Sequence, residues 1–350
     1  MTRAAATPTD LRGRERFVRA CRGEATDRAP VWLMRQAGRY LPEYRELRSK
    51  LGFLELCGSA DLAAEVSLQP FRRFRMDGVV VFGDILVPLS GLGLDFEFAP
   101  GPTTHRPIVN AADLARLEGS VAEAMAPTCD AIRALRAELG DDAAVIGFAG
   151  APWTLAAYAS EEKLSRDLVA LGALSYREPG LLDALLDRMA EITAETLVVQ
   201  AEAGADALQI FDTWAGVLSR ERFQRFAGRA LKRVLEALPK SRPPVTLYAR
   251  GAPHLLDELV EVGADVISLD WRTNLGEAAD RVDGRVSLQG NLDPAALNGS
   301  PETIRADVGR ILEEGHRARG HILNLGHGVQ PGTPVEGVGT FVAAAQEPAA

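Results

Sequence analysis

Short apolar runs rich in β-branched residues recur along this chain at 30–34 (PVWLM), 78–82 (GVVVF), 144–149 (AVIGFA) and 205–211 (ADALQIF). Four more follow at 244–249 (PVTLYA), 264–270 (ADVISLD), 285–290 (RVSLQG) and 321–326 (HILNLG). Each is nearly continuous rather than alternating, the pattern of a strand buried on both faces of a parallel sheet. Amphipathic stretches with helical spacing lie between them, such as LLDALLDRMAEITAETLVVQAEA and ERFQRFAGRALKRVLEALP. Gly204 and Gly263 stand where a helix C-terminal glycine is expected. Strands alternating with helices predict an α/β protein, a single (β/α)8 TIM barrel, with a doubly wound sheet as the alternative. No linker composition divides the chain, so one barrel domain is expected over 13–345, with flexible ends at 1–12 and 346–350. GADALQIFDTW and GADVISLDW echo each other, which reads as one helix-to-strand turn used twice.

Composition narrows the function more than the fold. The 350 residues carry 39 Lys+Arg against 48 Asp+Glu, a formal charge of −9, so any basic site is local and a general nucleic-acid binder is disfavoured. The most apolar segment, 78–94, is broken by Asp84, Pro88 and glycines, which argues against a membrane span. Cys21, Cys57 and Cys129 are too scattered for a disulfide framework or a structural zinc site. The N-terminal residues lack the apolar core of a signal peptide, so a cytoplasmic location is expected. No phosphate loop, HExxH, GxSxG or strand-linked GxGxxG occurs, and the five histidines do not cluster at ligand spacing. Neither a metal nor a cofactor is expected.

Barrel enzymes build their sites at the C-terminal ends of the strands. The first run leads into MRQAGRYLPEYRELR, where Arg35 and Arg39 lie four apart, with Gln36, Ala37 and Gly38 between them. Guanidinium forks grip carboxylate or phosphate in pairs, although a solvated basic face is the plain alternative. The second run ends at Asp84 in an apolar setting, where a carboxylate needs a partner, a raised pKa or a cationic ligand. Other ends present Trp153 and Tyr158, then Asp212, Thr213 and Trp214, then Asp270 and Trp271, then Gln289 and Asn291. The last presents His327 between two glycines. Several arginines around one buried carboxylate suit a large, multiply anionic ligand with something polar or positive at its centre.

The segments PVWLMRQAGRYLPEYRELR and GFAGAPWTLAAY resemble the two signatures of the uroporphyrinogen decarboxylase family. LAAEVSLQP, FDTWAG, LDW, QGNLDP and GHILNLGHGVQPGTP follow in that family's order, and the resemblance runs from about Arg14 to about Val342. It implies a homodimeric barrel that works without a cofactor. The implied reaction removes carbon dioxide from all four acetate side chains of uroporphyrinogen III, giving coproporphyrinogen III on the way to haem. It also implies that Arg35, Gln36, Ala37, Gly38 and Arg39 bind substrate, with Arg48 a weaker candidate. Asp84 becomes the central catalytic carboxylate, with Tyr158, Thr213 and His327 completing the site. Two departures stand out: Gly83 where the family often has Ser, and a glycine-poor segment, ASEEKLSRD, after the second signature.

The chemistry this implies needs an electron sink, supplied by protonating a pyrrole carbon, and a carboxylate that stabilises the resulting cation. His327, Tyr158 or a water ordered by Asp84 would deliver the proton, since Arg35 is too weak an acid. Two rivals remain at this level. One is a cobamide-dependent methyltransferase, which would need zinc held by His and Cys near strand ends. The other is a tetrapyrrole carrier without turnover.

Overall fold

The computed structural model describes residues 10–98 and 101–347. The expected flexible tail therefore lies outside the described residues up to position 9. Further on, the Leu11 N–H donates to Asp27 and Arg12 pairs with Asp142. At the other end the last helix, Val335–Gln346, runs into the expected tail, and Glu347 pairs with Arg305. No helix among the described residues is long and apolar enough to cross a membrane.

Strand β1 is Gly78–Val80, and β2 (Phe96–Glu97) pairs antiparallel with β3 (Thr103–Thr104) in a small hairpin. The remaining strands are β4 (Ala144–Gly150), β5 (Ala207–Asp212), β6 (Val245–Ala249), β7 (Val266–Ser268), β8 (Ser287–Gln289) and β9 (His321–Ile322). The parallel order is β1-β4-β5-β6-β7-β8-β9, with helices between successive strands. The first apolar run, expected as a strand over 30–34, contributes a single parallel bridge, Val31 to Leu323. Its later backbone donors go to side chains instead of a ladder: Leu33 to Gln36 Oε1 and Met34 to Asn324 Oδ1. Val31 also exchanges hydrogen bonds with Asp77 beside β1, so it occupies the eighth position and closes the (β/α)8 barrel.

The GAD echo is one part of a staple used three times at strand starts. Asp206 accepts the Val145 N–H at 2.8 Å and returns its own N–H to the Val145 carbonyl at 2.8 Å. Asp265 does the same with Val245 at 2.7 and 3.0 Å, and Asp77 with Val31 at 2.9 and 2.9 Å. Arg136, Arg242 and Arg28 respectively pair with the three carboxylates. Two residues before each Asp the backbone is left-handed, at Gly204 (φ 108°), Gly263 (95°) and Arg75 (53°). The third copy is hidden in the sequence because Arg75 takes the place glycine normally fills.

Helix Gly13–Arg22 plugs the N-terminal mouth, packing Phe17, Ala20 and Cys21 against Trp32, Ile146, Val266 and Ile322. Above that plug the Trp32 indole donates to Gln289 Oε1, whose amide donates to Gln209 and Ser268. Filling this end leaves the C-terminal end as the open one.

Candidate active site

A cavity of about 510 Å³ opens among the C-terminal strand ends. Arg35, Ala37, Gly38, Arg39, Arg48, Asp84, Tyr158, Thr213 and His327 all line it, so most of the residues singled out in the sequence meet in one place. Gln36 does not. It is fully buried, its oxygen accepting the Leu33 N–H and its amide donating to the Gly78 carbonyl. Its side chain pins the 33–36 turn to β1 and lies outside the cavity lining, so the structure does not bring it together with the other expected site residues. Gln289 belongs to the polar layer below, and Asn291 ties the Asp270 and Thr273 carbonyls together.

Arg35 stands at φ 60°, a costly conformation for a residue with a side chain. Its aliphatic stem crosses Gly328 so closely that a Cβ there would sit 2.4 Å from Arg35 Cδ. Neither the Arg35 nor the Arg39 guanidinium makes a hydrogen bond or ion pair among the described residues. Arg48 reaches the Leu51 carbonyl.

Asp84 follows β1 and shares the cavity wall with Phe82, Ile85 and Phe148. Its Oδ1 accepts the Leu86 N–H at 2.9 Å. Burial pushes its carboxyl above the ordinary range, opposed by the Leu86 N–H and by the charge of Arg35. Gly83 has ordinary backbone geometry, and a Cβ there would meet only the Phe148 ring at 3.5 Å. Its departure from serine therefore leaves the Asp84 turn undisturbed.

His327 sits between two aromatic planes, 6.1 Å from Tyr248 and 6.4 Å from Trp271 between ring centroids. Burial, then the charges of Arg35, Arg250 and Arg272, pulls its pKa down to about 4, so it is neutral near pH 7. The Tyr248 hydroxyl donates to the Gly326 carbonyl at 2.9 Å and fixes this loop. Tyr158 projects from helix Pro152–Ser160, and burial raises the pKa of its hydroxyl. Next to Thr213, Asp212 is fully buried with its carboxyl pushed up to about 6, although Thr154 donates to it at 2.7 Å.

The glycine-poor segment is ordered by Glu161. Its carboxylate accepts the N–H groups of Ser165, Ala170 and Leu171 and the Ser165 hydroxyl, holding the start of helix Val169–Arg177. Glu162 and Lys163 pair with the β2–β3 hairpin, from whose tip Phe98, Gly101 and Pro102 reach the cavity. Tyr44, Phe148, Phe211 and Tyr248 also line it, and sequence reading passed over them. The available signal was position: Phe211 and Tyr248 lie near the C-terminal ends of runs recognised as strands.

Cys21, Cys57 and Cys129 are buried in or at the ends of helices, and burial pushes the Cys57 thiol up to about 12. Among the described residues no three His, Cys, Asp or Glu side chains converge as metal ligands.

Comparison with known proteins agrees with this geometry. Residues 12–348 match the family model described as uroporphyrinogen decarboxylase (URO-D). A uroporphyrinogen decarboxylase of Alkalilimnicola ehrlichii is 44% identical over 341 residues, covering 95% of this chain and 93% of that protein. One from Methylococcus capsulatus is 45% identical over 338 residues, covering 95% and 97%. A solved structure of a methyltransferase from Methanosarcina mazei shares the fold with a TM-score of 0.79, at 22% identity and covering 96% of this chain and 98% of that one. On the sequence matches, the chain belongs to the uroporphyrinogen decarboxylase family.

Proposed function

We propose that the C-terminal cavity decarboxylates the four acetate side chains of uroporphyrinogen III to methyl groups, giving coproporphyrinogen III in haem biosynthesis. The observation that carries this reading is one carboxylate, Asp84, sharing an aromatic-walled cavity with two guanidinium groups that have no partner among the described residues. In a chain of net charge −9, arginines on one rim with no partner among the described residues call for negative charge from outside. The cavity volume falls within the roughly 300–1,000 Å³ typical of small-molecule sites.

Arg35 and Arg39 grip substrate carboxylates, with Arg48 at the edge. Phe82, Phe148 and Phe211 cover the apolar faces of the macrocycle. Asp84 accepts the converging pyrrole N–H groups, whose donation favours its ionised form against the penalty of burial. Protonation of a pyrrole carbon then creates a delocalised cation beside that carboxylate. The scissile C–C electron pair flows into the ring as carbon dioxide leaves, a second proton completes the methyl group, and the ring carbon gives back the first proton to restore the neutral pyrrole. Asp84 thus acts where positive charge develops, which is where fixed electrostatics accelerate most. Tyr158 and the neutral His327 both carry a proton near pH 7 and face the same cavity. Thr213 adds a hydroxyl donor at the end of β5.

The same reading makes the chain a cytoplasmic homodimer of single-domain barrels that needs neither metal nor cofactor. The deciding experiment is incubation with uroporphyrinogen under reducing conditions, followed by oxidation and analysis of porphyrins by carboxylate number. Stepwise appearance of seven- to four-carboxylate products is expected; unchanged octacarboxylate would leave only a carrier.

A further inference from the structure

Trp214 lines no part of the cavity, yet it is fastened to the helix that bears a cavity residue. Thr154 and Tyr158 are four apart on helix Pro152–Ser160, hence on one face. Thr154 Oγ1 donates to Asp212 Oδ1 at 2.7 Å and accepts the Trp214 N–H at 3.3 Å. This anchors the start of the loop after β5 to that face. One helical turn further along, the Trp214 indole lies beside the Tyr158 hydroxyl, whose acidity it influences. Its Nε1 is buried and has no acceptor at good geometry among the described residues. An indole N–H can only donate, so burying it unpaired is costly unless a nearby oxygen takes it.

We propose that Trp214 is a positioning residue for Tyr158: its indole N–H takes the acceptor side of the phenol oxygen, which turns the hydroxyl proton into the cavity. A phenol has one proton, and the indole nitrogen offers it no lone pair, so with Trp214 in place the proton points away from the loop. Tyr158 is thereby fixed as a donor toward an anionic substrate group beside Asp84. The proposal rests on the decarboxylase reading, so its test has one arm that needs no substrate.

That arm is the indole region of a nitrogen–proton correlation spectrum, where four tryptophans give four signals. Trp214→Phe identifies the Trp214 signal by its loss, and Tyr158→Phe should move it upfield as its acceptor disappears. An unmoved signal overturns the proposal, whatever the enzyme does. The second arm is turnover of uroporphyrinogen. Trp214→Phe should lower kcat/KM about 3- to 10-fold, the range of one neutral hydrogen bond. Trp214→His, which restores an N–H donor, should recover most of it. In the Tyr158→Phe background Trp214→Phe should add nothing. Equal losses in both backgrounds, or a histidine variant no better than phenylalanine, would make Trp214 merely structural and overturn the proposal. An absent wild-type turnover with a shifted indole signal would instead count against the decarboxylase reading and leave the Trp214–Tyr158 pair standing.

Discussion

Gly328→Ala tests whether the position of Arg35, and not only its charge, is what the site uses. A Cβ at residue 328 would lie 2.4 Å from Arg35 Cδ, 2.6 Å from Cγ and 3.0 Å from Cβ. Ordinary carbon contacts are about 3.5–4.0 Å, so the Arg35 stem must retreat by about 1 Å or more. Because the contact begins at the Arg35 Cβ, rotation about the outer bonds alone does not relieve it. The guanidinium then leaves the place from which it faces both the substrate carboxylate and Asp84. Losing one charge-assisted hydrogen bond costs about 1.5–3 kcal/mol, which is about 10- to 150-fold in kcat/KM. Relieving the contact should also cost stability, about 1–3 kcal/mol as overpacking does, with no ion pair broken among the described residues. Gly309→Ala is the control: it lies in helix Pro301–Gly315 with open space around its Cβ position, so activity should be unchanged and stability slightly raised. The assay is steady-state uroporphyrinogen turnover together with urea unfolding of both variants. A Gly328→Ala enzyme with kcat/KM within twofold of wild type would refute the argument. Partial unfolding of the variant at the assay temperature would refute it too, because the damage would then be general.

Other outcomes follow from the same geometry. Asp84→Asn should bind coproporphyrinogen but lose most turnover, measured by product-binding fluorescence beside a rate assay; near-normal rates would remove the carboxylate from the mechanism. Asp77→Ala breaks the staple at Val31 and takes one carboxylate from the buried Arg16, which keeps Asp27, and from Arg28, so it should destabilise the fold by about 1–3 kcal/mol in denaturant unfolding. Burial pulls His321 down to about 4, against about 6.5 when unfolded, so between those values the unfolded chain binds the extra proton. Its contribution is intact above pH 6.5 and is lost as pH falls toward 4, by about 3 kcal/mol; His321→Asn should flatten that part of the stability–pH curve. Since His327 is already neutral at pH 6, kcat/KM should show no histidine-like inflection between pH 6 and 8.

The periodicity of apolar runs was enough to predict a parallel α/β sheet, because a strand covered on both faces has to be apolar at nearly every position, and the Val31–Leu323 bridge then decided for the barrel against a doubly wound sheet. It also pointed to the residues that line the cavity, because residues at the C-terminal ends of parallel strands are brought together by the fold whatever their separation in sequence. Arg35, Asp84, Tyr158, Thr213 and His327 were legible in that way. What periodicity could not show was where each hydrogen bond is spent. The run at 30–34 looks like a full strand, yet Gln36 and Asn324 take its backbone donors, reducing it to one bridge and turning the Gln36 side chain toward β1, outside the cavity lining. The third staple was invisible because left-handed geometry at Arg75 is imposed by packing and not announced by glycine. Side-chain direction, close approach and burial depend on several distant segments at once. Tertiary structure alone therefore set the crossing of Arg35 over Gly328, the neutrality of His327 and the partnership of Trp214 with Tyr158.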